Sequence, residues 1–427
     1  MKKLLSIFLV LGIVFTLVAC GSQDETEGNT DTGNNDAEDT ATDFEVVPEE
    51  GAELTLWSDG DQQLEWATEV AAKFTEEYGI PVTVEEVTQE EAPERLATDG
   101  PSGLAADVFG STHDRIGRAI SAGLVLENFW PEEYQEEFME GAIQATSFED
   151  VLYGYPAGIE TYALYYNADL VKEAPQTWDE LINVASELTG DDTYGFMMEP
   201  ANFYFQYGLV GANGGYVFGD NNTDVTDIGL NNEGSVKALE QFLRIRDEII
   251  PGMKTEDITY DVRTALFNEG KLAFDINGPW AAPGYTSAGV NYKVAPLPTV
   301  DGTPQSSFSG TRGFYVNAYT EYPDAASLLA QFITNEENLL RSYEVTGALP
   351  PRTELLENET IKENPVSVAF LEQATNAVPM PNVPEMPLIW DPIHAAVTDM
   401  WNNKADVQKS LDNAVETIKT AISEQQQ

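Results

Sequence analysis

The sequence has one cysteine, Cys20, and two histidines, His113 and His394, among 427 residues. A single cysteine excludes an internal disulfide bond and a metal site built from several cysteine ligands. Neither histidine has other residues around it at zinc-ligand spacing. The sequence therefore predicts no metal site and no cofactor.

Basic residues are also scarce, with 21 Lys and Arg against 73 Asp and Glu, which gives a formal net charge of −52. Proteins bind nucleic acid through basic patches, so nucleic acid is excluded as a partner. The acidic residues are spread along the whole chain. This spread favours a solvated surface suited to saline or alkaline surroundings over an acidic cleft for a cationic ligand.

The apolar run at residues 4–19 is shorter than the roughly 20 residues that a transmembrane helix needs, and two lysines precede it. These features predict a cleavable signal peptide at residues 1–19. Residues 17–21, Leu-Val-Ala-Cys-Gly, resemble the bacterial lipobox. The resemblance implies lipidation of Cys20 and anchoring at the extracellular face of the cell membrane of a Gram-positive bacterium; an unmodified cysteine in a secreted protein is the alternative.

The segment at residues 20–51 is rich in Gly, Ser, Thr, Asn and acidic residues. It cannot bury enough apolar surface to offset its ordering entropy, so we predict a disordered acidic tether. About 30 such residues reach roughly 30 Å. The remaining residues, about 380, exceed one ordinary domain core and predict two domains.

The first part of this body alternates strand and helix patterns. Residues 53–57 predict a buried strand, residues 62–78 an amphipathic helix ended by Gly79, and residues 81–87 the next strand. This order is the βαβ unit of an α/β domain.

Polar motifs follow the predicted strands. Residues 59–61 form a turn after the first strand, and residues 111–115 are predicted as a loop before a helix. Ligands of open α/β sheets bind beyond the carboxyl ends of strands, where both motifs fall. Further along, Pro279 follows a glycine and predicts that Trp280 lies on a loop or at a helix start.

Seven motifs are spread along the body. They are Trp-Ser-Asp-Gly-Asp at 57–61, His-Asp-Arg at 113–115, Tyr-Pro at 155–156 with Glu160, Tyr-Tyr-Asn-Ala-Asp-Leu at 165–170, Asn-Gly-Gly-Tyr at 213–216, Asn-Gly-Pro-Trp at 277–280 and Met-Pro-Asn-Val-Pro at 380–384. They occur in the order, and at nearly the spacing, of the extracellular maltose- and maltodextrin-binding proteins of ABC importers, and the body resembles this family over nearly all its length.

The resemblance implies the two-lobe periplasmic-binding-protein fold, of class α/β, with the ligand cleft between the lobes and hinge strands crossing between them. Glycines beside the second crossing fit a hinge, since hinge residues absorb changes in φ and ψ. The implied boundaries are an N-lobe at 52–158 and 314–360, a C-lobe at 162–308 and 361–427, and crossings at 159–161 and 309–313.

A sugar site needs flat aromatic faces for pyranose rings and fixed polar groups for hydroxyls. Carried over position by position, the resemblance implies hydroxyl partners at Asp59, Asp61, Asp114, Arg115 and Glu160. It implies a stacking platform of Tyr204, Tyr260, Trp280 and Trp390, with Phe205 and Met380 alongside.

Four positions depart from the family pattern. Ser111 stands in place of a stacking aromatic residue, Gln62 in place of a basic residue, and Asp391 and His394 in place of a tyrosine and an arginine. These changes leave the carbohydrate class intact but leave the particular glycan open.

The implied function is a monomeric, non-catalytic receptor that binds maltodextrin-type oligosaccharides and delivers them to the permease of an ABC importer. One alternative is the same fold with another oligosaccharide or a cationic solute such as a polyamine. A glycoside hydrolase is another alternative, because paired carboxylates also serve glycosidases. Residues 220–224 faintly resemble a calcium loop but lack its glycine and its final glutamate, and are predicted to form a turn.

Overall fold

The computed structural model describes residues 46–190 and 192–425. The predicted signal peptide, Cys20 and most of the predicted tether lie outside these ranges. Within them, no helix combines the length and the apolar character needed to cross a bilayer.

Thirteen strands occur in the described residues; twelve of them form two main sheets and a small hairpin, and β9 makes only isolated bridges with Phe218 and Gly219. In chain order they are β1 Leu54–Ser58, β2 Val82–Glu86, β3 Val108–Thr112, β4 Ser147–Phe148, β5 Val151–Leu152, β6 Tyr155–Glu160, β7 Ala163–Asn167, β8 Tyr194–Met197, β9 Asp224–Ile228, β10 Leu272–Asn277, β11 Tyr292–Ala295, β12 Phe308–Val316 and β13 Val378–Pro379.

Helices cover the sheets. The α-helices are α1 Asp61–Tyr78, α2 Ala92–Asp99, α3 His113–Ser121, α4 Pro131–Glu137, α5 Glu140–Ala145, α6 Trp178–Leu188, α7 Phe203–Ala212, α8 Gly219–Asn222, α9 Glu233–Arg244, α10 Tyr260–Asn268, α11 Ala282–Ser287, α12 Pro323–Ile333, α13 Glu336–Thr346, α14 Glu359–Lys362, α15 Pro365–Ala374, α16 Trp390–Asn403 and α17 Val407–Gln425. Short 3₁₀ helices lie at Gly100–Ser102, Thr255–Asp257, Pro279–Ala281, Glu354–Glu357 and Met386–Ile389, and one π-helix lies at Ile245–Ile249.

The predicted βαβ unit is confirmed. Strands β1 and β2 pair in parallel, and α1 connects them. The helix buries Trp66, Val70 and Phe74 at helical spacing, and each such side chain contributes roughly 1.5–3 kcal/mol when fully buried. It ends at Gly79, whose φ of 73° is the left-handed conformation that glycine adopts without strain.

Strand β12 holds the first sheet together. The sheet has the order β13-β12-β3-β1-β2, with β6 also paired to β12. Both β3 and β6 run antiparallel to β12. The glycines of β12 allow close packing: a Cβ at Gly310 would lie 3.1 Å from the Met380 methyl group, and one at Gly313 would lie 3.3 Å from the Tyr155 carbonyl oxygen.

The second sheet has the order β11-β7-β10-β8 and shares no strand with the first. Strand β10 pairs antiparallel with β7 and in parallel with β8. All four strands lie between Ala163 and Ala295, whereas the first sheet draws on segments before and after this range. The chain therefore forms two α/β lobes, each built on one sheet.

The predicted loop at residues 111–115 is wrong. Ser111 and Thr112 are the last residues of β3, paired with Gly313 and Arg312 of β12, and α3 begins at His113. The polar side chains of these residues do not prevent a strand here, because β12 pairs with their backbone and the fully buried Ser111 hydroxyl donates a hydrogen bond to the Gln89 carbonyl oxygen at 3.0 Å.

Other local features refine the expectations. The Glu49 carboxylate, placed in the tether by the sequence, accepts hydrogen bonds from the Asp324 and Ala325 amides at the start of α12, 3.0 Å each. Strand β13, at the far end of the chain, pairs with β12 of the first sheet. Asp220 and Asn221 of α8 have φ values of 47° and 55°, so this short element is not a right-handed helix but the predicted turn.

Candidate ligand-binding site

Four carboxylates converge beyond the strand ends of the first lobe. Asp59 follows β1, Asp114 lies in the first turn of α3 after β3, and Glu160 ends β6. Burial raises the pKa of Glu160 to about 7, and the charges of Asp59, Glu90 and Asp114 act in the same direction. Glu160 therefore holds its proton more tightly than an exposed glutamate, because its ionisation would add a charge to a buried space that already holds carboxylates.

Asp59 and Glu90 are neighbours within this group. The Gln89 amide donates a hydrogen bond to Asp59 Oδ1 at 3.0 Å. Burial raises the pKa of Asp59, and this hydrogen bond opposes the rise; burial and then the charge of Asp59 raise the pKa of Glu90. Sequence reasoning missed Glu90, although it lies in the loop after β2, the same kind of position that identified Asp59.

Arg312 supplies a buried positive charge beside these acids. Its side chain extends from β12 over the Trp66 ring, with the guanidinium carbon 5.8 Å from the ring centroid. Its charge lowers the pKa values of Glu160 and Asp59, while burial lowers the pKa of Arg312 itself. Nε and Nη2 have no hydrogen-bond partner among the described residues. Sequence reasoning assigned this residue only to a crossing strand.

Asp114, Arg115 and Trp390 form a second part of the site. Asp114 is 3% exposed, and Arg115 Nε lies 3.5 Å from its Oδ2 atom. The Arg115 guanidinium lies 5.6 Å from the centroid of the Trp390 ring, within the range of a cation–π contact. The buried Trp390 indole nitrogen has no hydrogen-bond partner in the described part of the chain, and His394, one turn later, has its ring 5.9 Å away.

Tyr204 reaches the carboxylates from the second lobe. The helix α7 that carries it begins where Asn202 Oδ1 accepts a hydrogen bond from the Tyr204 amide at 3.2 Å. Burial raises the pKa of Tyr204 well above its usual range, and the charges of Glu160, Tyr162 and Asp114 raise it further. Its hydroxyl has no partner among the described residues. An unpaired donor therefore faces acids of the opposite lobe.

Phe205 packs beside Tyr204, with their ring centroids 5.3 Å apart in an edge-to-face arrangement. Phe205 is 4% exposed, so most of its ring is buried in the second lobe. Its role in the structure is to support Tyr204 more than to offer an open stacking face.

Tyr260 and Asp61 approach each other from opposite lobes. Tyr260 begins α10 and is 37% exposed. Burial raises its pKa to about 12, and Asp61 is among the charges that raise it further. Asp61 itself is an exposed residue at the start of α1 with a φ of 51°. The two lobes are thus close enough for one ligand to contact both residues.

Trp280 lies in the 3₁₀ helix Pro279–Ala281 directly after β10, which confirms the predicted loop or helix start. The Gly278 backbone runs under its ring, where a Cβ would lie 2.1 Å from the ring atoms. The ring is half-buried, which leaves part of its surface for contact with a ligand.

Met380 sits at the junction of the lobes. Its carbonyl oxygen lies 2.9 Å from His113 Nε2, and its methyl group packs near Gly310 of β12. A cavity of 750 Å³ adjoins it, lined by Gln144, Tyr207 and Tyr216 among others. Met380 is the one predicted ligand residue that lines this cavity, so the cavity is separate from the carboxylates and the other platform residues.

The arrangement therefore combines acids, two arginines, unpaired tyrosine and tryptophan donors and partly exposed rings at the junction of two lobes. These groups suit a neutral molecule with many hydroxyls and a flat apolar face. Among the described residues, no group of three or more metal-ligating side chains is placed to hold an ion.

Comparison with known proteins identifies the family. The bacterial extracellular solute-binding proteins match residues 69–368, well over half of the chain. The chain belongs to this family. Its members are receptors, and the predicted role of this protein as a solute receptor is confirmed at that level.

Individual relatives of this family support the same conclusion. A galactooligosaccharide-binding protein of Bacillus subtilis (strain 168) is 32% identical over 430 residues, covering 99% of this chain and 98% of the relative. The maltodextrin-binding protein MdxE of the same organism is 34% identical over 372 residues, covering 84% and 88%.

A solved structure agrees in fold. The Thermus thermophilus maltotriose-binding protein, bound with maltotriose, has a TM-score of 0.80 at 31% identity, covering 86% of this chain and 100% of that chain. The predicted two-lobe α/β fold is confirmed.

Proposed function

We propose that this solute-binding protein is a receptor for maltose- and maltodextrin-type oligosaccharides and delivers them to an ABC importer. The observation that carries the proposal is the approach of Tyr204 and Tyr260 of the second lobe to Glu160 and Asp61 of the first. A ligand that contacts both lobes stabilises the closed arrangement, because its binding energy depends on their proximity.

We infer the lobe boundaries that the sequence predicts, and the hydrogen bonds of Glu49 to the start of α12 support adding residues 46–51 to the first lobe. Its further segments are 52–158 and 314–360; the second lobe takes 162–308 and 361–427. The inferred crossings are 159–161 and 309–313, and the pairing of β13 with the start of β12 supports a third link between the lobes.

In this proposal, sugar hydroxyls bind Asp59, Asp61, Asp114, Arg115 and Glu160, and pyranose faces stack on Tyr204, Tyr260, Trp280 and Trp390, with Phe205 and Met380 beside them. Glu90 and Arg312 complete the polar wall. The partly exposed rings of Tyr260 and Trp280 suit stacking. The unpaired Trp390 nitrogen and Tyr204 hydroxyl suit hydroxyl oxygens.

The cellular setting follows from the predicted lipobox. Lipidation of Cys20 would hold the receptor at the extracellular face of the membrane, where a permease collects the ligand. The receptor acts as a monomer and leaves the glycan intact, so incubation with the protein should release no shorter sugar.

A thermal-shift screen tests the ligand class. Ligand at about 100 times Kd adds roughly 2.7 kcal/mol to the free energy of unfolding, which raises Tm by several degrees. Maltose to maltoheptaose and the cyclodextrins should raise Tm, and Trp280→Ala should abolish the rise without preventing folding. Tyr319→Ala, which removes a 47% exposed ring outside the site, is the matched control and should respond like the wild type.

Two other ligands belong in the same screen. Galactooligosaccharides are favoured as the alternative by the Bacillus subtilis relative that matches 99% of this chain. Spermidine represents cationic solutes, for which the carboxylates would be suited; Arg115 and Arg312 oppose that assignment. A rise with either ligand, together with no response to every α-glucan, would overturn the maltodextrin assignment.

A further inference from the structure

A buried ion pair lies beneath the aromatic residues of the second lobe. Arg263 of α10 and Asp275 of β10 are both fully buried. Arg263 Nη1 donates hydrogen bonds to Asp275 Oδ1 and to the Ile276 carbonyl oxygen, the latter at 3.2 Å. Two charges have thus been removed from water inside this lobe.

Stability alone does not explain this pair. Desolvation of two charges offsets much of their attraction, and well-packed apolar residues often replace a buried ion pair without loss of stability. Asp275 is nevertheless fully engaged: its Oδ2 atom also accepts hydrogen bonds from Asn277 Nδ2 at 3.0 Å and from the Tyr285 hydroxyl at 2.6 Å. The contacts around the pair point to a different role.

The arginine end contacts two of the predicted ligand residues. Its guanidinium carbon lies 5.3 Å from the Phe205 ring centroid and 5.8 Å from that of Tyr260. Its Nη2 atom is 3.8 Å from Glu199, which precedes the helix carrying Phe205. The cation is therefore placed between rings of α7 and α10, within cation–π distance of both.

The aspartate end leads to Trp280. Asn277, which donates to Asp275, accepts a hydrogen bond from the Gly278 amide at 2.9 Å. The Gly278 carbonyl oxygen accepts a hydrogen bond from the Tyr165 hydroxyl at 2.8 Å. The turn that carries Trp280 is thereby fixed to the same network as Tyr260.

We propose that Arg263 and Asp275 are positioning residues that hold Phe205, Tyr260 and Trp280 in one relative geometry before the sugar arrives. A platform that is already ordered loses little conformational entropy on binding, so its rings contribute more to affinity. This inference rests on the proposed function, because it concerns how the same site gains its affinity.

The decisive variant is Arg263→Met combined with Asp275→Leu. It removes both charges together, so neither remains buried without a partner, and the fold should survive. We expect the double substitution to weaken the affinity for the oligosaccharide by about 10-fold or more, where the oligosaccharide is one that stabilises the wild type. Tm should change by only a few degrees. Isothermal titration calorimetry gives the affinity. Wild-type affinity in the double variant would overturn the inference.

A double-mutant cycle separates positioning from general weakening. If the pair acts through Tyr260, the double substitution should lower the affinity of a Tyr260→Ala protein by less than about threefold. The Trp390 ring contacts Arg115 and His394 instead of this network. In a Trp390→Ala protein the double substitution should therefore lower the affinity by the full factor of about 10. Equal losses in both backgrounds would show a merely structural role and overturn the inference.

A measurement without sugar distinguishes failure of the inference from failure of the proposed function. Hydrogen–deuterium exchange at residues 277–282 should be faster in the double variant than in the wild type, because the turn has lost its anchor. Unchanged exchange would overturn the positioning role even where sugar binds. Faster exchange in a protein that binds no saccharide would overturn the receptor assignment and keep the network.

Discussion

Replacing Glu160 by glutamine should change how the stability of the protein depends on pH. Burial raises the pKa of this carboxyl group from 4.5 to about 7 in the folded protein. Between these values the unfolded chain has released the proton and the folded protein has not. Unfolding therefore releases a proton in this window, so the free energy of unfolding falls as pH rises. Glutamine stays neutral and lacks this dependence.

The magnitude follows from the two pKa values. Each pH unit in the window corresponds to about 1.4 kcal/mol for one proton. Integrated from pH 5 to pH 8, the ionisation of Glu160 should lower the free energy of unfolding of the wild type by about 2.5 kcal/mol relative to Glu160→Gln. The loss begins near pH 4.5 and is complete just above pH 7.

Urea unfolding at pH 5, 6, 7 and 8 measures this difference. The matched control is Glu136→Gln, which replaces an exposed glutamate of α4 and should follow the wild type at every pH. If the curves for Glu160→Gln and the wild type stay parallel from pH 5 to pH 8, Glu160 does not ionise near neutrality and the account of the carboxylate group is refuted.

Two glycine positions give further predictions. Gly195→Ala should destabilise the protein by roughly 1–3 kcal/mol, since its Cβ would lie 1.9 Å from the Ala185 carbonyl oxygen, whereas Gly190→Ala, with nothing within 4 Å, should melt like the wild type. Gly278→Ala should displace the Trp280 ring, whose atoms lie 2.1 Å from the new Cβ, and weaken oligosaccharide binding by about 10-fold in calorimetric titration. Unchanged affinity would remove Trp280 from the stacking platform.

The sequence predicts those elements whose side chains repeat with a clear period. Helix α1 and strands β1 and β2 have such patterns, and their bounds differ from the predicted ones by one residue. The end of β3 was missed because Ser111 and Thr112 are polar, and the strand that pairs with them, β12, lies far along the chain. Local pattern cannot reveal a partner strand that is distant in sequence.

The same limit applies to the candidate site. Asp59 and Asp114 could be predicted because they follow strands, Trp280 because it falls in a family motif, and Tyr204 because its position matches the family between two such motifs. Arg312 carried no such signal, and Glu90 was missed although it too follows a strand, β2. The ion pair of Arg263 and Asp275 joins a helix to a strand 12 residues later, and neither residue stands in a recognisable motif. Its proposed role in positioning the platform can be inferred only from the aromatic rings around it.

The dependence of the first sheet on β12 has a consequence for the order of folding. Tyr315 of β12 pairs with Phe109 of β3 across roughly 200 residues, a separation that makes this sheet slow to form. At 5 to 20 residues per second, a ribosome needs roughly 10 to 40 s to supply that stretch of chain. The second sheet has all its strands between Ala163 and Ala295 and can form earlier. The amino-terminal lobe of a nascent chain therefore stays unfolded for that time. An unfolded chain is the state that secretion through a narrow channel requires.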